Sequence, residues 1–224
     1  MSVLADAAAY DSIDATAFHC YAGNVDAQSQ IKQEYPDKDI FLTECTESGD
    51  TFFYQGDFQW AMNTLVFGGI TSHASTLFEW NLVLDANHGP KLPGGCTNCR
   101  GLLNLNADNS SFERSPAYYA VGHVSKFVQY GAKRVASGSV SSLSSLAFEN
   151  TDGTVVLIVH NDRLESSNIN IELLGKVCLD VHLPEMTTLS LVYDGSVVTK
   201  WESNFRNGNP ATLLQNRGQI ACVN

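Results

Sequence analysis

The sequence predicts an α/β portion built from consecutive strand–helix units, followed by an antiparallel β-sandwich. Residues 1–130 alternate short apolar runs with stretches of helical spacing, the order that builds a parallel sheet or barrel. Beyond Gly131 the pattern changes to short alternating runs separated by Asp152-Gly153, Asn161-Asp162, Gly175 and Asp194-Gly195, which is sandwich patterning. A chain of 224 residues, 44% hydrophobic and 17% charged, is long and apolar enough to bury a core in one large domain or two small ones. We expect two, residues 1–130 and 131–224.

Residues 4–10 are Ala-rich and permit a helix. Residues 14–21 alternate, so that a strand would carry His19 and Tyr21 on one face, opposite Phe18 and Cys20. A helical run at 25–33 stops at Tyr35-Pro36-Asp37, and residues 39–42 then read as a buried strand ending at Glu44. Phe58, Ala61, Met62, Leu65 and Gly69 recur at helical spacing. Residues 76–84, TLFEWNLVL, form a nearly continuous apolar run, as in a strand covered on both faces. A Gly/Pro/Asn-rich loop at 85–106 holds one short apolar piece. Pro116 then opens a helix with Tyr118, Val121, Phe127 and Val128 as its apolar stripe, ending at Gly131. Sandwich strands are expected at 133–137, 144–149, 154–161, 168–173, 177–183 and 187–193, with further candidates at 197–201 and 219–223.

A net charge of −11 argues against a nucleic acid or an anionic membrane as partner and is compatible with a neutral substrate such as a sugar. No stretch approaches the roughly 20 apolar residues of a transmembrane helix. The first residues lack the basic and apolar regions of a signal peptide. Of six cysteines, Cys96 and Cys99 form a lone CxxC without the second pair or spaced histidines that zinc requires. No metal or other cofactor is expected, and a tight loop disulfide is favoured there over a free redox pair. Cys178 and Cys222 are candidates for another bridge, with connectivity among Cys20, Cys45, Cys178 and Cys222 left open. Asn109-Ser110-Ser111 is a glycosylation sequon, and with the CxxC disulfide it points to an exported protein.

In a parallel barrel, residues at successive C-terminal strand ends converge on one cleft. Here those ends present His19 and Tyr21, then Glu44, then Trp80 and Asn81. Glycoside cleavage uses a carboxylate nucleophile, an aromatic platform for the sugar's apolar face, and imidazole or amide groups for its hydroxyls. Taken singly, each could be a core or loop-edge residue. Their equivalent placement in three consecutive strands favours a shared site.

The runs AFHCY, FLTEC, FEWNLVLDANHGP, GGCTNCRG and SPAYYAVGHVSKFV, in that order, resemble glycoside hydrolase family 30, which includes glucosylceramidases and endo-β-1,6-glucanases. The CTNCRG loop and the Glu-Cys pair look more like the glucanase branch. The resemblance covers roughly residues 1–195 and implies strands six to eight of a (β/α)8 TIM barrel followed by the family's β-sandwich. It makes Glu44, ending strand seven, the nucleophile of a retaining mechanism. It also makes His19, Tyr21, Trp80 and Asn81 substrate-binding, with β-1,6-glucan or a glucosyl lipid as substrate and an extracellular, lysosomal or vacuolar setting. The family's acid/base Glu lies in an Asn-Glu-Pro run on strand four, and the sequence has no such run. Glu47 and Glu79 are the nearest carboxylates in sequence, with Glu79 expected to point away from the face of Trp80 and Glu47 to lie on a loop. The expectation is a chain inactive alone, whose open sheet edges would be covered by a missing N-terminal barrel segment or another chain. The rival is a non-catalytic carbohydrate-binding or interaction protein.

Overall fold

A computed structural model describes residues 3–49, 53–138, 142–175 and 177–205. The chain divides into two units, Met1–Phe52 with Trp60–Tyr118, and Phe53–Gln59 with Tyr119–Asn224.

The first unit opens with helix α1 (Ala7–Asp11), where the Asp6 carboxylate accepts from the Ala9 N–H at 3.0 Å and satisfies one of the donors a helix start leaves free. Strand β1 (Ala15–His19), helix α2 (Asp26–Glu34), strand β2 (Asp39–Glu44) and strand β3 (Ala74–Leu77) follow, and between β2 and β3 the chain forms helix α3 (Tyr54–Ala61), of which Tyr54–Gln59 is counted with the second unit. The three strands form one parallel sheet in the order β1-β2-β3, each crossover carrying a helix. Alternation along β2 buries Ile40 and Leu42, and Ile40 packs with Leu4 and Ile31. The helical spacing from Phe58 to Gly69 is realised in two geometries, because α3 passes at Met62 into a π-helical segment, Met62–Gly69, whose turns are wider. A Cβ on Gly69 would lie 2.9 Å from the Leu77 and 3.1 Å from the Leu42 side-chain methyls, so a larger residue there would have to displace both leucines.

The third strand departs from expectation. It ends at Leu77, and the chain leaves the sheet through Phe78–Asn81 before entering another sheet as β4 (Val83–Leu84), paired with β5 (Leu103–Leu105), which in turn pairs with β6 (Phe112–Arg114). Leaving the sheet orphans neither of two backbone donors, because Phe78 N–H donates to the Leu42 carbonyl (2.9 Å) and Trp80 N–H to that of Cys45 (2.6 Å). Helix α4 (Pro116–Ser125) also differs from its expected form. It stops six residues before Gly131, and its buried positions are Pro116, Ala117, Ala120 and His123, whereas Tyr118 is 38% exposed. Small residues and a hydrogen-bonded histidine, not the large apolar ones, line the inward face.

The second unit contains β7 (Lys133–Val135), β8 (Ser144–Glu149), β9 (Val155–Asn161), β10 (Ser167–Leu173), β11 (Val177–Leu183), β12 (Thr187–Tyr193) and β13 (Val198–Asn204). An antiparallel sheet ordered β13-β12-β9-β8-β7 and a β10-β11 pair enclose a core that includes Val159, Ile169, Ile171, Leu183, Leu189 and Leu191, the β-sandwich expected from the alternating runs. The candidate strand at 219–223 lies outside the described residues. His123 and His160 are fully buried, donating to or accepting from Ser190 Oγ (2.7 Å) and Thr188 Oγ1 (2.8 Å) through Nδ1. Burial first, and for His123 the neighbouring His160 second, holds both well below the usual imidazole range, His160 at about 4.

Trp201 of β13, 7% exposed, lies with its ring 4.0 Å from that of His123 and 5.6 Å from that of Phe127, and a Cβ on Gly122 would come within 3.0 Å of it. Trp201→Ala is expected to cost about 3–5 kcal/mol, the range for an aromatic emptied from a packed core. Urea unfolding reads this as a lower midpoint at unchanged slope.

Candidate active site

The C-terminal ends of the three parallel strands gather the charged and aromatic groups of the first unit. His19 ends β1 and Glu44 ends β2, and the two are register partners after a shift between Phe18 and His19. The Cys20 N–H donates to the Glu44 carbonyl at 3.3 Å, and the Cys20 and Cys45 side chains are joined as a disulfide. Two neighbouring strand ends are therefore fastened both by backbone and by covalent bond.

The Glu44 carboxylate is hydrogen-bonded on one oxygen and has an imidazole near the other. Tyr21 Oη donates to Oε1 at 2.9 Å, and His19 Nε2 lies 3.8 Å from Oε2. The His19 and Tyr21 rings meet edge-to-face with centroids 5.8 Å apart. Partial burial, then the hydrogen bond to Glu44, then the Glu44 and Glu79 charges raise the Tyr21 hydroxyl well above the usual phenol range, so it stays a donor at any physiological pH. Tyr21 is nonetheless 52% exposed, and the cleft is open to water on that side.

Trp80 is tied to the same place through its main chain, by its N–H to the carbonyl of Cys45, the residue after Glu44. Trp80 is 48% exposed, an aromatic surface at the rim. Asn81 is only partly buried, but its side-chain Oδ1 is sealed from solvent without a hydrogen-bond partner, and its carbonyl accepts from Leu102 N–H at 2.9 Å. The structure thus brings His19, Tyr21 and Glu44 into direct contact and sets Trp80 beside them, while the Asn81 side-chain oxygen is turned inward.

Beneath the rim lies a group that sequence reading did not assemble. Glu79 Oε1 accepts from the Glu47 N–H at 3.2 Å, and its Oε2 is inaccessible to solvent and has no hydrogen-bond partner. Burial foremost, and the Glu47 charge second, push the Glu79 carboxyl up to about 9 against the opposing Glu47 N–H bond, so at neutral pH it is an acid and not a carboxylate. Glu47 is buried with Arg100, whose guanidinium lies 3.9 Å from its carboxylate. The only signal in the sequence was the charge at 79 within an otherwise apolar run.

Arg100 follows Cys99, which is bonded to Cys96. Cys178 is also disulfide-bonded, and Cys222 lies outside the described residues. Asn109 is exposed in a turn between β5 and β6. Among the described residues no group of three or more His, Cys, Asp or Glu side chains could hold a metal ion, and no helix is long and apolar enough to cross a membrane.

The chain has counterparts among known proteins. A profile described as the glycosyl hydrolase family 30 TIM-barrel domain matches residues 1–128, and one described as the family's beta sandwich domain matches 131–199. An endo-1,6-beta-D-glucanase of Trichoderma harzianum is 32% identical over 165 residues, which is 68% of this chain and 31% of that protein. The lysosomal acid glucosylceramidase of Mus musculus is 29% identical over 101 residues, 44% of this chain and 19% of that one. A solved endo-beta1,6-glucanase superposes with a TM-score of 0.74 at 28% identity, covering 84% of this chain and 42% of its own. SrfJ from Salmonella typhimurium superposes at 0.76 with 26% identity, covering 86% and 43%. The chain spans about a third of the length of the glucanase it matches. With both of the family's domains represented, in order and over most of its length, the chain belongs to glycoside hydrolase family 30.

Proposed function

We propose that the chain is the nucleophile-bearing portion of a retaining β-glycosidase, strands six to eight of the barrel (residues 1–130) with the sandwich (131–224). The observation that carries this is the Glu44 carboxylate at a strand end, hydrogen-bonded by Tyr21 and flanked by His19, beside the exposed Trp80. In the complete cleft Glu44 attacks the anomeric carbon, the glycosidic C–O bond breaks, and a second carboxyl protonates the departing oxygen. The same group then takes a proton from water as water displaces the sugar from Glu44. That group must stand about 5–5.5 Å from the nucleophile. The Glu47 carboxylate is buried beside Arg100, and the Glu79 carboxyl is bonded to the Glu47 N–H, so neither faces a sugar. The proton donor therefore comes from barrel strands that these residues do not supply, and the isolated chain binds without turning over.

The substrate class is a β-1,6-glucan or a glucosylceramide-like β-glucoside, after the relatives' names. Trp80 would stack on the glucose ring, and Asn81 would line the same subsite. The setting is extracellular, lysosomal or vacuolar, where disulfides such as Cys20–Cys45 and Cys96–Cys99 persist, and Asn109 is its glycosylation site. The edges of the three-stranded sheet are where a further barrel segment would pair.

Calorimetric titration with β-1,6-linked gluco-oligosaccharides, alongside hydrolysis assays on β-1,6-glucan and glucosylceramide, tests the reading. Binding without hydrolysis is expected, weakened about tenfold or more by Trp80→Ala through loss of stacking. Turnover abolished by Glu44→Gln would refute the need for an outside proton donor. No binding to either sugar class would refute the site.

A further inference from the structure

Three segments meet under Glu44: the turn 45–49 that follows it, the stretch 78–81 that bears Trp80, and the disulfide loop 96–101. Their main chains are joined directly, by Arg100 N–H to the Glu47 carbonyl (3.0 Å), Gly49 N–H to that of Asn98 (2.9 Å) and Trp80 N–H to that of Cys45 (2.6 Å). Thr46 Oγ1 donates to the carbonyls of Glu47 (2.9 Å) and Arg100 (3.2 Å). From the Trp80 stretch the Glu79 side chain reaches into the Glu44 turn, through the Glu47 N–H.

We propose that Glu79 is a positioning residue whose carboxyl ties the turn after Glu44 to the segment bearing Trp80, and so sets the spacing between the carboxylate and the aromatic wall of the cleft. The role rests on the sugar-binding reading given above, and it assigns a function to a buried group that the chemistry itself does not use. The charged and titratable groups facing Glu79 are Glu47 on the turn and Tyr21 after β1, with Arg100 paired to Glu47 and with Glu44 and His19 reached through Tyr21. No cation faces Glu79 among the described residues. An anionic oxygen sealed from water with no hydrogen-bond partner is far costlier than a neutral one, so the tie holds as the acid. Ionisation would put an unsolvated charge on the buried Glu79 carboxyl and set it against the Glu47 carboxylate, a cost that outweighs the strengthening of the bond from Glu47 N–H. Alkaline pH should therefore loosen the cleft while Tyr21 is still protonated.

Two measurements on the full chain test this. In carboxyl-labelled carbon NMR the Glu79 signal, assigned by its loss in Glu79→Gln, should titrate near 9. Titration in the ordinary range near 4.3 would overturn the proposal whether or not any sugar binds. In parallel, binding of a β-1,6-linked glucose disaccharide is followed from pH 7 to 10. The parent should weaken by about tenfold, as for a site competent only when one group of that acidity is neutral. Glu79→Gln, neutral and of the same shape, should match the parent at pH 7 within about twofold and stay flat to pH 10. Glu79→Leu, which cannot accept from Glu47 N–H, should bind about tenfold more weakly at every pH. Binding with one pH profile shared by the parent and Glu79→Gln would overturn the positioning role and leave the sugar site standing. Absence of binding by every form, with the Glu79 signal still titrating near 9, would instead overturn the sugar reading and with it the positioning role.

Discussion

Incubated with a 2-deoxy-2-fluoro-β-glucoside of dinitrophenol, the chain is expected to gain one covalent sugar, on Glu44. The reagent separates the two jobs that a retaining enzyme divides between its carboxyls. Dinitrophenolate leaves without a proton, so the attack by Glu44 needs no acid; water attacking the resulting ester needs a base, so the adduct accumulates. The site supplies what the first step asks for: a carboxylate oriented by the Tyr21 hydroxyl at 2.9 Å and flanked by His19 at 3.8 Å. Glu44→Gln should lower labelling by roughly 10⁴-fold or more, the scale of removing a catalytic nucleophile. Tyr21→Phe should slow it by about 10- to 100-fold, as loss of a hydrogen bond to a charged group worth about 1.5–3 kcal/mol. Peptide mass spectrometry locates the sugar. A label on another residue, or an equal label on the Glu44→Gln chain, would remove Glu44 from the mechanism. Azide, a nucleophile that needs no base, should release the sugar as glycosyl azide.

How much of this was readable beforehand depends on the range over which each contact acts. Period two and period 3.6 are local, so β1, β2, α2 and the alternating strands β8 to β12 could be placed to within a residue or two, along with the strand ends that carry His19 and Glu44. The run TLFEWNLVL misled for the same reason. A continuously apolar stretch has no period, and nothing local marks Leu77 as the point where it leaves the sheet, because the acceptors that make the exit tolerable belong to Leu42 and Cys45. The strand β6, three exposed residues, has too little pattern to detect. Burial of Glu79 and Glu47 could not be read from their spacing, since charge in sequence argues for solvent, and Arg100 reaches Glu47 only by way of the disulfide loop. In helix α4 the sequence offered large apolar residues for the stripe. The buried face instead follows Ala117, Ala120 and His123, and the last is hydrogen-bonded through Nδ1 to Ser190, 67 residues away.

The bond between Cys20 and Cys45 shows the same limit from the side of function, and it carries the second large effect. Alternation set Cys20 on the face opposite His19 and Tyr21, but regular strand ends at His19, where the register with β2 shifts, and Cys20 turns to meet the residue after Glu44. The bridge closes a separation of 25 residues, whereas Cys96–Cys99 closes three. In the chain-entropy treatment the longer loop is worth about 3.5 kcal/mol and the shorter about 1.6. Replacing Cys20 and Cys45 together by Ala should therefore cost about twice the stability lost on replacing Cys96 and Cys99, read as the difference in urea midpoints. It should also cost function out of proportion to stability, because the bridge sits between His19 and Tyr21 on one strand end and directly after Glu44 on the other. At denaturant-free pH 7, with the chain still folded by circular dichroism, labelling of Glu44 should fall by about tenfold or more as the donor at Tyr21 loses its fixed distance to the carboxylate. A variant lacking both cysteines that labels at the parent rate would show that the backbone bond from Cys20 N–H to the Glu44 carbonyl suffices to hold the two strand ends together.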